Sequence, residues 1–227
     1  MHPVTCSRFQ LSLIILLMLP VHALATPAIT CHCFTDRAYD PAHPAVADPY
    51  FLATTQNSFF AAVFGVDKKT IVLKKQKGLS ADDLWIAYWL AARSEADPVI
   101  LLEQRRTKGS WRQVATPLAI PATSLGSRVA EALKTNAADE RLANAVVDEL
   151  LIRFRFYAEA ELSALRRARA SNQELIMASL LAAKRKQTAT QLYQEVKKGE
   201  TSWGALLQKA KIDPANIQSE IMVLITI

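Results

Sequence analysis

Apolar residues recur at three- and four-residue spacings from residue 48 to the C-terminal region, interrupted at intervals by capping and breaking residues. Asp48, with Pro49 behind it, predicts the start of a first helix that runs to Phe64 and stops at Gly65. A second is expected over 68–77, ended by Gly78, and Ser80 caps a third with Asp82 and Asp83 in its first turn. Asp97-Pro98 opens a fourth that ends before Gly109. Ser110 caps a short fifth containing Trp111, and Pro121 precedes a sixth that reaches Lys134. From Asp139 the scheme starts again, with 154–170 reading as one longer helix because no glycine breaks it. The β-branched tail Ile221 to Ile227 is the one stretch that suggests a strand.

The recurrence is residue by residue. Displaced by 91 positions, Ala47-Asp48 meets Ala138-Asp139, Ser80 meets Ser171, and Leu90-Ala91-Ala92-Arg93 meets Leu181-Ala182-Ala183-Lys184. The displacement then drifts by one, and Ser110-Trp111 meets Ser202-Trp203. Matched caps, matched apolar positions and a matched Ser-Trp in one order indicate a duplicated unit. The expected fold is therefore all-α, with helical repeats at 47–134 and 135–227. Trp85 and Trp89 lie four apart on the third helix beside Tyr88, which reads as core packing rather than a binding platform.

Before the repeats the pattern changes. Residues 1–10 are polar with Arg8 as the only charge, Leu11 to Leu19 is apolar apart from Ser12, and Ala23-Leu24-Ala25 follows Pro20. Basic, apolar and small-residue segments in that order predict a signal peptide cleaved after Ala25. Its nine-residue core is too short for a transmembrane helix, which needs about 20 residues, so no span is expected in the mature chain. A lipidated Cys31 is disfavoured by Thr30 before it and by the distance to the apolar run. Residues 26–46 form a Pro-rich arm. The expected destination is periplasmic or secreted.

Composition narrows the function. Cleavage removes one of 27 basic residues and none of the 21 acidic ones, leaving a charge of +5. Basic pairs such as Lys74-Lys75, Arg105-Arg106, Arg166-Arg167 and Lys197-Lys198 recur in both halves and are expected on solvated faces. Export argues against a nucleic-acid partner and leaves an envelope protein or an anionic envelope polymer. Acidic candidates for a paired-carboxylate site are Asp82, Asp83, Asp139, Glu140, Asp148 and Glu149, and most lie where capping and helix-dipole effects explain them.

The run Lys198-Gly199-Glu200-Thr201-Ser202-Trp203-Gly204-Ala205-Leu206-Leu207, then Ile212-Asp213-Pro214, resembles uncharacterised exported bacterial proteins with short helical Gly-x-x-x-Trp-Gly units. The resemblance covers about twenty residues per half, and the first half departs from it with Arg112 in the second glycine's place. It implies an exported helical repeat and no particular activity.

After cleavage every Cys and His lies in the arm, as Cys31, His32, Cys33 and His43. Neither repeat carries a thiol or imidazole for nucleophilic catalysis, and no phosphate loop, GxSxG or HExxH motif is present. Two thiolates and two imidazoles are an acceptable ligand set for Zn(II) or Cu, although adjacent Cys31, His32 and Cys33 fit one ion poorly. A local disulfide, pairing with a partner, or free thiols are the simpler readings. The sequence thus predicts a non-catalytic structural or interaction module of the cell envelope without a cofactor. The alternative is a metal-binding or thiol-redox protein that uses the Cys31 to His43 arm.

Overall fold

A computed structural model describes residues 34–226. They form thirteen α-helices and two short 3-10 turns, with no strand among the described residues. In order these are α1 (Asp48–Phe64), α2 (Lys68–Gln76), α3 (Ala81–Ser94), α4 (Pro98–Lys108), α5 (Trp111–Ala115), α6 (Ala122–Leu125) and α7 (Ser127–Lys134). Then come α8 (Asp139–Arg153), α9 (Glu159–Arg167), α10 (Asn172–Lys184), α11 (Ala189–Lys197), α12 (Trp203–Lys209) and α13 (Ile217–Thr226). The starts of α1 to α4 precede those of α8 to α11 by 91 residues, and α5 precedes α12 by 92.

Packing crosses between the halves. Helix α1 lies against α10, α12 and α13, while α8 lies against α3 and α7. Each half's first helix therefore completes the other half's core. Helix α1 is buried without interruption from Thr54 to Ala61, as befits a helix surrounded by neighbours. Phe59, Phe60 and Phe64 meet Trp85 and Tyr88 of α3 in an aromatic cluster with centroids 4.6 to 6.2 Å apart. Trp85 and Trp89 are both buried, and the Trp89 indole N–H donates to the carbonyl of Leu125 at 3.1 Å. These rings pack the core.

Four sequence expectations change. The tail is helical: α13 buries Ile217 and Ile221 against α1, and packing on a helix overrides β propensity. The stretch 154–170 is broken, because Arg155 takes a left-handed conformation (φ 59°) and the Phe156 N–H bonds back to the Leu151 carbonyl. Phe154 and Phe156 then pack on Phe59 at 6.2 and 6.3 Å, which offsets the strain. The sixth helix divides at Gly126, whose φ of 85° and ψ of 149° suit only glycine. A Cβ there would run into the carboxyl of Glu149, which accepts the Arg128 N–H at 2.9 Å.

Asp48 is the fourth change. It does not cap its own helix, whose N-cap is Ala47. Its carboxylate instead accepts the N–H groups of Trp203 and Gly204 at 3.0 and 2.7 Å, capping α12 from the other half. Ser202 ties the same corner by donating to the Pro44 carbonyl at 2.6 Å. The arm residues just before α1 are thereby fastened to the second half.

Candidate functional site

The middle of α1 reads Thr54-Thr55-Gln56-Asn57-Ser58, five consecutive buried polar residues in an otherwise apolar helix. Burial of such groups is costly unless they are hydrogen-bonded. Thr55 bonds the Phe51 carbonyl at 2.8 Å, Gln56 accepts from Gln173 at 3.1 Å, and Ser58 accepts from Lys68 at 3.2 Å. Asn57 accepts from the Lys75 ammonium at 2.7 Å. Burial pushes Lys75 down to about 8, an effect opposed by the carboxylate of Asp82.

The corresponding place in the second half holds a stronger version. Arg166 donates to Asp148 through Nε at 3.0 Å and Nη2 at 2.6 Å, to Asn172 at 2.5 Å, and to the Ala170 carbonyl at 2.9 Å. Burial raises the Asp148 carboxyl above its usual range and outweighs the lowering by Arg166. Both cations belong to basic pairs that were expected on solvated faces. Lys75 and Arg166 turn inward, whereas Arg106, Arg167, Lys197 and Lys198 stay exposed. Arg105 likewise reaches Asp139 at 2.6 Å, and Lys197 reaches Glu174 at 2.9 Å.

These networks flank an open groove made of two depressions, of about 540 and 590 Å³. The depressions share Asn144 of α8 and Arg166 of α9. One side is lined by Arg128, Glu131, Arg141 and Asp148. The other carries Gln56, Asp82, Glu140, Arg169, Asn172 and Gln173. Burial raises the Asp82 carboxyl, and so do its acidic neighbours Glu140, Asp83 and Asp139, against the pull of Lys75. Of the six candidate carboxylates, Asp83 accepts from the Ser80 hydroxyl and the Trp111 indole, Asp139 holds Arg105, and Glu149 holds the Arg128 N–H. Asp148, Asp82 and Glu140 are therefore the ones that reach the groove.

Of the metal candidates, Cys31, His32 and Cys33 lie outside the described residues. His43 is exposed, with Nδ1 3.0 Å from Oδ2 of Asp40, and that hydrogen bond lowers the Asp40 carboxyl. Among the described residues no three His, Cys, Asp or Glu side chains gather as a metal-binding group.

The sequence pattern alone does not show the groove, because most of the carboxylates sit at helix starts and the basic pairs have the pattern of solvated faces. Its one signal is Gln56 in the polar run 54–58 of an apolar helix: Gln56 lines the groove and accepts from Gln173, whereas Thr55 bonds its own helix and the buried Thr54 hydroxyl makes no hydrogen bond. Comparison with protein families, with characterised proteins and with solved structures finds no match to this chain.

Proposed function

We propose that the chain is a non-catalytic exported helical-repeat protein, a structural or interaction module of the cell envelope. The observation that carries the module reading is the exchange of first helices, α1 into the second half and α8 into the first. Two copies of one unit, each completing the other, would hold the walls of the groove between them. The equal spacing of helix starts, 91 and then 92 residues, supports a duplicated origin. The tripartite segment 1–25 supports export, and no described helix is long and apolar enough to cross a membrane. The partner would be an envelope protein or an anionic envelope polymer, met by the exposed members of the basic pairs.

Fractionation of the native cell with intact-mass analysis tests the export half of the proposal. The expected product begins at Thr26 and lies outside the cytoplasm. A chain retaining residues 1–25 in the exported fraction would refute cleavage, and a wholly cytoplasmic chain would refute export.

A further inference from the structure

A third depression, of about 600 Å³, shares no lining residue with the groove. It lies between the arm, the first turn of α1 and the end of α12 with the turn that follows it. Its walls are distant in sequence, and the bonds of Ser202 to Pro44 and of Asp48 to Trp203 and Gly204 hold them together. Tyr39 and Tyr50 supply two aromatic rings. Tyr50 is braced by Phe34 and Phe51, with centroids 5.9 and 5.7 Å away, and Tyr39 rests on α12 at Gly204. Neither phenol hydroxyl makes a hydrogen bond among the described residues, and neither does the Gln208 amide that joins them in the lining.

The charged groups of this lining are Arg37, Lys211 and Asp213, which leaves one surplus positive charge. Arg37 donates from Nε to the Phe34 carbonyl at 3.0 Å, with its guanidinium 5.9 Å from the centre of the Tyr50 ring. One Asp213 oxygen accepts the Ala215 N–H at 2.8 Å, which leaves the other as an acceptor. The Lys211 ammonium makes no hydrogen bond or ion pair among the described residues. A tyrosine has an apolar face and a polar tip. A sugar ring has the same two characters, with C–H faces and a rim of hydroxyls that donate and accept. Two phenols, an amide and a carboxylate oxygen match that rim, whereas a bare anion would leave them unused. The surplus cation favours a sugar that carries an acid group. The depression also falls in the size range of small-molecule sites, roughly 300 to 1,000 Å³. We propose that it binds an acidic sugar unit of an anionic polymer, the ring against Tyr39 and Tyr50 and the acid group at Lys211. The proposal rests on the anionic-polymer reading of the partner and narrows it to one chemistry.

Calorimetric titration of the purified chain with trigalacturonate tests it, alongside its methyl ester and inorganic triphosphate. The ester keeps the rings and hydroxyls without the charge, and triphosphate keeps charge without the rings. Saturable one-to-one binding of trigalacturonate is expected, with the ester and triphosphate each at least tenfold weaker. Lys211→Gln should weaken trigalacturonate about tenfold and leave the ester unchanged. Tyr50→Phe should weaken both sugars about fivefold, as loss of one neutral hydrogen bond does. Lys211 is exposed and Tyr50 half-buried, so both variants should melt as the parent does, and a melt confirms it. Equal binding of acid and ester overturns the proposal, and so does triphosphate binding as tightly as the sugar. Trigalacturonate binding that survives both variants would keep the polymer as partner and overturn this site. Absence of saturable binding by the parent overturns both, and leaves export to the fractionation test.

Discussion

Two short helices that each begin with a Ser cap and a Trp, α5 and α12, lie in different surroundings, and the difference is instructive. In the first half Ser110 caps α5, and the Trp111 indole N–H donates to Asp83 at 2.9 Å. Arg112 follows and is exposed. In the second half Ser202 caps α12, Trp203 follows, and Gly204 is buried beneath Phe51 and Tyr39. The arm and the start of α1 lie over Gly204 of α12, whereas Arg112 of α5 faces solvent. Tyr39, which precedes α1, thus helps decide what is tolerated at residue 204, 165 positions later, and the Trp is common to both halves because each short helix needs an anchor.

The largest effect should come from those anchors. Both indoles are 2% exposed, so Trp203→Ala and Trp111→Ala should each lower stability by roughly 3 to 5 kcal/mol. Denaturant unfolding measures this directly. Unchanged midpoints would mean that the short helices are held by something other than their tryptophans.

A smaller contrast concerns the inward-turned cations. Arg166 faces the carboxylate of Asp148, but Lys75 faces the neutral Asn57, with only the nearby Asp82 to offset its burial. Lys75 is held at about 8 in the fold against 10.5 when unfolded. Below pH 8 it is charged in both states, and folding bears the cost of burying the charge. Between 8 and 10.5 the unfolded chain keeps a proton that the folded chain has lost, so stability rises with pH. The gain is on the order of 2 kcal/mol across that window. Burial raises Tyr88 and Tyr157, which pulls the other way above pH 10. The test is therefore the difference between the parent and Lys75→Met, which should lack the rise. Parallel pH curves for the two proteins would show that Lys75 carries its charge without cost.

How much of this was legible beforehand depended on whether the residues acted locally. Caps announced themselves: Ser80, Asp97, Ser110, Ser171 and Ser202 each accept the N–H their position predicts. Stops at Gly65 and Gly109 were equally plain, because glycine takes the left-handed conformation readily. Arg155 and Arg169 take it too, with φ of 59° and 63°, and an arginine gives no such warning. Asp48 was misread for a related reason. Its chemistry is that of a cap, but the helix it caps is brought to it by tertiary packing. The groove was hidden in the same way, since Asn144, Arg166 and Asp82 come together only when the first helices cross between halves.

The glycine sharpens the comparison between α5 and α12. A Cβ at residue 204 would lie 2.9 Å from Phe51 and 3.0 Å from Tyr39, closer than packed atoms allow. Gly204→Ala should cost about 1 to 2 kcal/mol, the overpacking penalty less the helix preference for alanine. Arg112→Ala, at the solvent-facing residue that follows Trp111 in α5, should change stability by less than about 0.5 kcal/mol. Equal effects from the two substitutions would remove the argument that the arm sets the difference.

The smallest contrast is between the aspartates that open α1 and α8. Asp48 is half-buried and bonds two N–H groups of α12, while Asp139 makes one ion pair with Arg105 near the surface. At pH 7 Asp48→Ala should lower stability by about 1 kcal/mol, the ordinary value of an N-terminal cap. Asp139→Ala should cost less, as surface ion pairs typically contribute about 0.5 kcal/mol. Acid separates the two further. Burial holds the Asp48 carboxyl above its usual 3.8, even though the N–H groups of Gly204 and Trp203 pull it down. A carboxyl raised by folding binds its proton more readily in the folded chain, so it favours folding increasingly as pH falls through its folded value. The deficit of Asp48→Ala relative to the parent should therefore widen from pH 7 to pH 4. A conventional salt-bridged aspartate would give the opposite trend. Urea unfolding of both proteins at the two pH values decides it, and a narrowing gap would mean that the α12 amides, not burial, govern Asp48.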